Sequence, residues 1–546
     1  MPSVLAPAAC RLGLALGLAA ALAPAVPVAA QTTVISTRPS GNLPSRPEAE
    51  GADYDGGNWL TFNKGYRGFR YSQLGEIDRG NIGALREQCR FDTGEKFAFR
   101  AGPIVHRGTM IFTTAHNTYA IDAATCALRW KHEWLPLRPD LQYGTNNGAT
   151  VADGRVFRGT NDGYLLALDA ATGQLLWHTV VADAYLGEYA VAAPLAWNGL
   201  VYLGKAGGDS GIRGEMMAFS ATDGHKVWGF NTVPQVGEPG AETWTDPASL
   251  AHGGGGTWTT YSLNPFSNTL LIPVGNPGPD FNKAMRPGRN LYTNSLVALD
   301  ATTGALKWAY QLLGPEDRDW DTSVVASYSD WDGRRAAAVA GKDGVLHVVD
   351  HADGKLLFKL PLVTQLNTTA EIPLAPGIRI CPIAAVQWNG PAYSPLNNLL
   401  YLGAIDWCAT AIQGEPPVWT ARKPYLGWAN GYGTRDPIDQ ARGVITAVDA
   451  HTGLARWRWM SDRPLLAGVT ATAGQLLLTA DLRGRLVAID AVTGKQLRML
   501  ATGGPNGGGV ISYLAGGHQR IAVATGFSHG GFAASGATAQ IVVFGL

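Results

Sequence analysis

Apolar and polar residues alternate in short runs along most of the chain, and one such run recurs. YAIDAATCALRW starts at Tyr119, LALDAATGQLLW at Leu166, MAFSATDGHKVW at Met217 and VALDATTGALKW at Val297. HVVDHADGKLLF starts at His347, TAVDAHTGLARW at Thr446 and VAIDAVTGKQLR at Val487. Each run reads as a strand, an Asp or Ser, a short turn that usually holds Gly, and a second strand that tends to end on an aromatic. Alternation with period two predicts half-buried strands. Asp opens the turn by accepting from nearby backbone N–H groups, and Gly supplies the positive φ. The terminal Trp is expected to pack between neighbouring sheets. Seven occurrences are too many for accidental hairpins.

The spacing sets the architecture. The step from Asp122 to Asp169 is 47 residues and that from Asp300 to Asp350 is 50. The step from Asp350 to Asp449 is 99, which leaves room for one degenerate unit. The C-terminal IVVFGL can supply a closing strand for the first blade. The expected fold is all-β, an eight-bladed β-propeller of four-stranded, W-shaped blades. No linker-like segment divides residues 31–546, so they are read as one propeller domain, with residues 31–50 as a loose N-terminal arm.

The first thirty residues break the pattern. They combine a sparse basic start at Arg11, a run rich in Leu and Ala, and Val-Ala-Ala before Gln31. That is the plan of a secretory signal peptide, and it predicts a periplasmic protein. Pro24 interrupts the apolar run, and beyond Ala30 no run reaches the length of a membrane span. Cys10 precedes the apolar run and is badly placed for a lipid anchor. The 43 basic residues balance the 43 acidic ones, so no charge excess points to nucleic acid or an anionic membrane. Four cysteines remain beyond the signal. An even count in an exported chain favours disulfides, and of three possible pairings the sequential one, Cys89–Cys126 with Cys381–Cys408, is expected. The absence of Cys-x-x-Cys-His excludes an attached c-type haem.

Two segments stand apart from the repeat: GNPGPDFN, from Gly275, and GPEDRDWDTS, from Gly314. On spacing alone the second is an acidic turn facing water, and Asn276 is a turn residue between Gly and Pro. Taken together and in order, however, NWLTFNKGYRGFRYSQLGEID, GNPGPDFN, RPGRNLYTNSLVALD, DRDWD, WNGPAYSP and IDWC resemble the motifs of the pyrroloquinoline quinone (PQQ)-dependent alcohol dehydrogenases. The resemblance is to the soluble, eight-bladed type without a haem domain, and it spans nearly the whole chain.

The resemblance implies roles residue by residue. Asp321 matches the catalytic aspartate, a general base for the alcohol O–H that also ligates the metal. Asp317 and Asp319 are expected to stay structural. Asn276 matches a metal ligand. Asp209, in GGDSGIRG, stands where many relatives carry a metal-binding Glu. Three oxygen ligands suit Ca²⁺, and Ser323 stands where lanthanide-using relatives carry a further Asp. Lys342, in GKDG, matches a cation beside the reactive quinone oxygens, although alone it reads as a surface turn. Trp258, in GGGGTWTT, matches the aromatic floor under a flat cofactor, although most tryptophans here must serve blade packing. Thr160, Gly207, Gly208 and Asn389 resemble further cofactor contacts.

Two departures concern the lid over the cofactor. LQYGTNNG lacks the adjacent cysteines of many relatives, and Asn147 replaces a carboxylate-binding Arg. Leu466, where some relatives place Trp, points to a roomier pocket and a bulky or secondary alcohol. The expected function is therefore oxidation of a small-molecule alcohol with PQQ and Ca²⁺, electrons leaving to an external acceptor such as cytochrome c. A sugar or aldehyde dehydrogenase on the same scaffold is one alternative. A non-enzymatic propeller scaffold is another, and it would not need Asp209, Asn276, Asp321 and Lys342 together. No glycine-rich stretch opens a helix in a strand–helix–strand unit, which argues against a nicotinamide cofactor.

Overall fold

The computed structural model describes residues 32–37, 51–137, 144–529, 531–532 and 536–546. The expected signal peptide and most of the expected arm lie outside them. Eight sheets, each with four propeller strands, follow one another along the described chain. The third strands of the blades, such as Tyr164–Asp169 and Ser295–Asp300, are buried almost throughout because neighbouring sheets cover both faces. Outer strands such as Leu128–Glu133 and Leu306–Gln311 are largely exposed or part-buried.

The repeated turn also joins one blade to the next. Asp300 Oδ1 accepts from the N–H groups of Thr302 and Thr303 at 3.1 and 3.0 Å. Gly304 N–H donates back to the Asp300 carbonyl at 2.8 Å. Gly304 sits at φ +75°, and a Cβ there would lie 2.6 Å from the indole of Trp228 in the preceding blade. Trp228 Nε1 donates to the Ala301 carbonyl at 3.2 Å. The same aromatic-on-glycine contact pairs Trp130 with Gly173, Trp177 with Gly224, Trp308 with Gly354, Phe358 with Gly453 and Trp457 with Gly494. The terminal aromatic of each run is thus the seat for the next blade's turn. In the first run Cys126 occupies the glycine position at φ +60° and is bonded to Cys89. The second expected disulfide, Cys381–Cys408, is also present.

Three expectations change in detail. The long interval between Asp350 and Asp449 holds one blade rather than a blade and a degenerate unit. That blade is built from Ala392–Ser394, Leu399–Asp406, Arg442–Asp449 and Ala455–Ser461. The remaining length is an insertion, residues 407–441, whose strands Ala409–Ala411 and Thr434–Arg435 join Ile378–Ile380 in a separate small sheet. The eighth blade is shared by both ends of the chain. Arg86–Asp92 is its outer strand, beside Gln540–Gly545, His518–Thr525 and Val510–Ala515. IVVFGL therefore closes the ring in the eighth blade, not the first. The arm is not wholly loose either, since Thr32–Val34 adds a fifth strand to the second blade.

The segment 57–71, which overlaps the N-terminal motif, ties the inner strands together. Its backbone bonds Val105, Leu263, Ser327, Tyr393, Ala471 and Leu514, which belong to six blades. Tyr66 Oη donates to Ala196 in a seventh at 2.7 Å. Arg70, fully buried, donates to the carbonyls of Val469 and Val510 at 2.8 and 3.0 Å.

Candidate active site

A cavity of about 420 Å³ lies where the inner ends of several blades meet the insertion. Strand register explains its central pair. Thr322 is paired with Gly341 in the fifth blade, so Asp321 and Lys342 extend from neighbouring strand ends. Lys342 N–H donates to the Asp321 carbonyl at 2.9 Å. Lys342 Nζ lies 2.7 Å from Asp321 Oδ2 and 2.6 Å from Asp319 Oδ1. A left-handed residue, Asp319 at φ +56°, bends the loop between these two carboxylates; Asp tolerates that region better than most residues.

The loop is not a solvated turn. Glu316 through Ser323 are all buried. Glu316 and Asp317 are structural: Glu316 accepts from Arg318 N–H at 2.6 Å and its carbonyl accepts from buried Arg286 at 2.6 Å, while Asp317 pairs with Arg318. Asp319, expected to be structural as well, lines the cavity with Asp321 and Lys342.

Glycine brings the remaining acidic groups close. Gly254, at φ +72°, packs against the turn of GNPGPDFN, and a Cβ would lie 2.6 Å from Gly278 N. The two segments bond through Gly255 N–H to Asn276 O and Gly275 N–H to Gly256 O, each at 2.9 Å. Asn276 N–H in turn donates to Asp321 Oδ1 at 2.9 Å, and its side-chain amide donates to Asp280 Oδ1 at 3.0 Å. Gly207 and Gly211, both left-handed, bracket the short turn Gly208–Ser210 that carries Asp209. Asp209, Asp280 and Asp319 each present a carboxylate oxygen within 4.8 Å of the others.

The electrostatics follow from burial and crowding. Burial, then the charges of Asp209 and Asp319, push the Asp280 carboxyl well above the usual carboxylate range. Burial also pushes Asp319 up; Lys342 opposes this, and Asp209 and Asp321 add to it. Burial alone would lower the Lys342 ammonium, but Asp319, Asp321 and Asp209 outweigh it and hold it well above its ordinary value. Lys342 therefore stays charged across the neutral range.

The insertion forms much of the opposite wall. It contributes Trp428, Tyr432 and Arg435 to the cavity, beside Phe281, Trp388 and Phe532. Tyr432 Oη donates to Asp209 Oδ2 at 2.9 Å, Tyr425 N–H to the Asp209 carbonyl at 2.6 Å and Trp419 Nε1 to the Ser210 carbonyl at 3.0 Å. Burial, followed by Asp209, raises the Tyr432 phenol far above its ordinary value, so it donates and does not ionise. The Phe281 and Trp428 rings stack at 4.1 Å.

Most residues expected from the sequence gather here. Gly207, Gly208, Asp209, Trp258, Asp321 and Lys342 line the cavity, and Asn276 stands directly behind Asp321. Trp258 lies 5.8 Å, ring centre to ammonium, from Lys342. Thr160 and Asn389 do not line the cavity. Thr160 donates to Asp162 at 2.6 Å and caps its own turn; Asn389 donates to the Leu466 carbonyl. Leu466 is buried in the apolar cluster that also contains Trp388, behind the wall rather than on it. Asn147, at the departed lid position, donates to the Trp258 carbonyl at 2.9 Å. Asp280, inside GNPGPDFN, also belongs to the site, although nothing in the motif marks it. Arg100, Phe281, Trp388, Trp428, Tyr432, Arg435 and His529 line the cavity as well, and no spacing along the chain singles them out.

The donor set suits a flat anion beside a hard cation. Trp258 offers an aromatic face and a buried Nε1 without a partner. Glycines at 207, 208 and 256 keep Cβ atoms off the wall, while Arg100, Arg435 and Lys342 supply positive charge for carboxylates. Asp280 Oδ2 is buried without a hydrogen-bond partner, as an oxygen that faces a cation can be.

Known proteins resemble the chain over most of its length. The model of the glucose/ethanol/alcohol dehydrogenase β-propeller domain matches residues 59–364, more than half of the chain. A second model, for the outer membrane protein assembly factor BamB, matches only residues 441–526. The quinoprotein alcohol dehydrogenase PedH of Pseudomonas putida is 29% identical, the match covering 86% of each chain. The dehydrogenase subunit of the quinone alcohol dehydrogenase of Gluconacetobacter polyoxogenes is 30% identical over 87% of this chain and 72% of its own. Among solved structures, a europium-containing methanol dehydrogenase superposes with a TM-score of 0.82 at 26% identity, covering 92% of this chain and 100% of the other.

Proposed function

The chain belongs to the PQQ-dependent alcohol dehydrogenases, and from that premise we propose that Asp321 is its general base, acting beside Lys342 in a site that takes PQQ and Ca²⁺. It is an enzyme that oxidises alcohols. The observation that carries the residue assignment is the buried Asp321–Lys342 pair at 2.7 Å, set in the cavity wall beside Trp258.

Trp258 and the glycines at 207, 208 and 256 would hold the flat cofactor, with Arg100, Lys342 and Arg435 for its carboxylates and quinone oxygens. Asp209, Asn276 and Asp321 would hold the metal. Bound there, PQQ supplies a two-electron acceptor and the metal a Lewis acid. The rest is the work of side chains. Asn276 N–H fixes Asp321 Oδ1, and Lys342 fixes Oδ2, so the carboxylate is aimed before an alcohol arrives. Asp321 takes the hydroxyl proton. Lys342 stays protonated and stabilises negative charge as it develops nearby. Phe281, Trp388, Trp428 and Phe532 exclude water and give the substrate an apolar face. That face supports a bulky or secondary alcohol. The signal-like leader supports a periplasmic enzyme that passes electrons to a separate carrier such as cytochrome c.

Dye-linked dehydrogenase assays on the purified apo protein test the reading, with PQQ and Ca²⁺ added together and separately and a panel of alcohols. Activity should require both additions, and Asp321→Asn should lower kcat by at least about 10²-fold with folding intact by circular dichroism. A variant as active as the wild type would remove Asp321 from its role.

A further inference from the structure

On the reading that Asp321 and Lys342 carry alcohol oxidation, we propose that Asp319 is a positioning residue for Lys342: it takes one ammonium N–H so that the last one is aimed at the reacting oxygens. An ammonium offers three N–H donors. On Lys342 one meets Asp321 Oδ2 at 2.7 Å and another meets Asp319 Oδ1 at 2.6 Å. With the Cε bond and two hydrogen bonds set, tetrahedral geometry leaves the third N–H a single direction. Held by Asp321 alone, the ammonium would turn about that hydrogen bond and its other donors would have no fixed aim. An arginine brings its own rigid fork, whereas a lysine is a point charge on a flexible stem and must be aimed by its neighbours.

The loop holds Asp319 firmly in that place. Both of its neighbours are pinned. Arg318 pairs with Asp317 and donates to the Asn367 carbonyl at 3.0 Å, and Trp320 Nε1 donates to the Pro382 carbonyl at 3.1 Å. Between them Asp319 takes its left-handed φ of +56°, and its carboxylate meets the same ammonium as that of Asp321. Asp319, Asp321 and Lys342 all line the cavity, so the aimed donor belongs to the wall that a substrate meets.

The two carboxylates divide the labour. Asp321 Oδ1 also accepts from Asn276 N–H at 2.9 Å, and as general base Asp321 must meet the alcohol as well. Among the described residues, Lys342 is the only hydrogen-bond partner of the Asp319 carboxylate. Asp319 therefore keeps its hold on the ammonium whatever Asp321 is engaged with.

Gly and Asn both tolerate the left-handed region, so Asp319→Gly and Asp319→Asn probe the side chain without straining the backbone. In the enzyme loaded with PQQ and Ca²⁺, Asp319→Gly should lower kcat by at least about tenfold while KM for the alcohol changes by less than about twofold. Asp319→Asn keeps an acceptor but not the charge, and should fall between that variant and the wild type. In a Lys342→Met background, Asp319→Gly should change kcat by less than about twofold, because no ammonium is left to aim. A second arm, on the full chain without cofactor, follows the pair itself. There the shift in melting temperature caused by Asp319→Asn should differ between the wild-type and Lys342→Met backgrounds, with folding checked by circular dichroism. Equal shifts in the two backgrounds, an unchanged kcat in Asp319→Gly, or a loss that persists in full without Lys342 would overturn the proposal. Coupled melting shifts in an enzyme that oxidises no alcohol would sink the functional reading and leave the Asp319–Lys342 tether standing.

Discussion

Lys342 is the residue on which the site's electrostatics turn. Its ammonium is the partner of two buried carboxylates, at 2.6 and 2.7 Å. Removing one member of a buried pair costs about 3–5 kcal/mol, because the charge left behind is uncompensated. Lys342→Met should therefore lower metal-free stability by about that amount in urea unfolding, and added Ca²⁺ should restore part of it. A variant as stable as the wild type would mean that Asp319 and Asp321 take up protons at little cost. The partnership was half legible in the chain. Asp321 and Lys342 are joined by one hairpin, so family motifs and local register bring them together. Asp280 was not: a lone Asp after Pro gives no sign that Asp319 will reach it. Burial of the acidic loop was equally hidden, since its cover comes from Arg286 and from carbonyls of the 367–370 segment.

The blade-to-blade contact belongs to the element scale, and it was the most legible feature. Asp, Gly and aromatic recur at fixed offsets, and each offset has a local cause. The prediction is a contrast between two glycines in the fifth blade. Gly354 has φ +73°, and a Cβ there would lie 2.5 Å from Trp308. Gly333 has φ +78° with nothing within 4 Å of the added atom. Gly333→Ala should cost only the left-handed strain, about 1–2 kcal/mol. Gly354→Ala must also displace the indole, and should approach the roughly 3–5 kcal/mol of Trp308→Ala. Equal costs for the two alanines, measured by denaturant unfolding, would mean that the aromatic seat bears little of the blade contact. The insertion at 407–441 escaped the same logic. It carries no repeat, so its length alone suggests room for a degenerate blade, and nothing in it marks Trp428, Tyr432 and Arg435 as wall residues.

A ring differs from a linear stack in that its last unit must meet its first. This chain solves that in three ways: an eighth blade drawn from both ends, a central segment bonded to seven inner strands, and a disulfide between them at the rim. Cys89 lies on the outer strand of the eighth blade and Cys126 in the turn of the first, so Cys89–Cys126 staples the seam. Cys381–Cys408 instead joins the neighbouring ends of two paired strands of the small sheet, and so fixes the start of the insertion to the segment that carries Ile383, a cavity residue. The sequence separations, 37 and 27 residues, are close, so chain-entropy reasoning gives each bond a similar effect of about 3–4 kcal/mol on stability. Their effects on function should differ. Replacing Cys89 and Cys126 by Ser should lower the unfolding midpoint while leaving Ca²⁺ affinity and KM unchanged below the transition. Replacing Cys381 and Cys408 by Ser should lower stability by a like amount and also raise KM, because Tyr432 and Trp428 reach the site from the segment this bond anchors. If the seam variant altered KM as much as the insertion variant, the site would depend on closure of the whole ring; if neither did, the insertion would hold its place through Tyr425, Tyr432 and Trp419 alone.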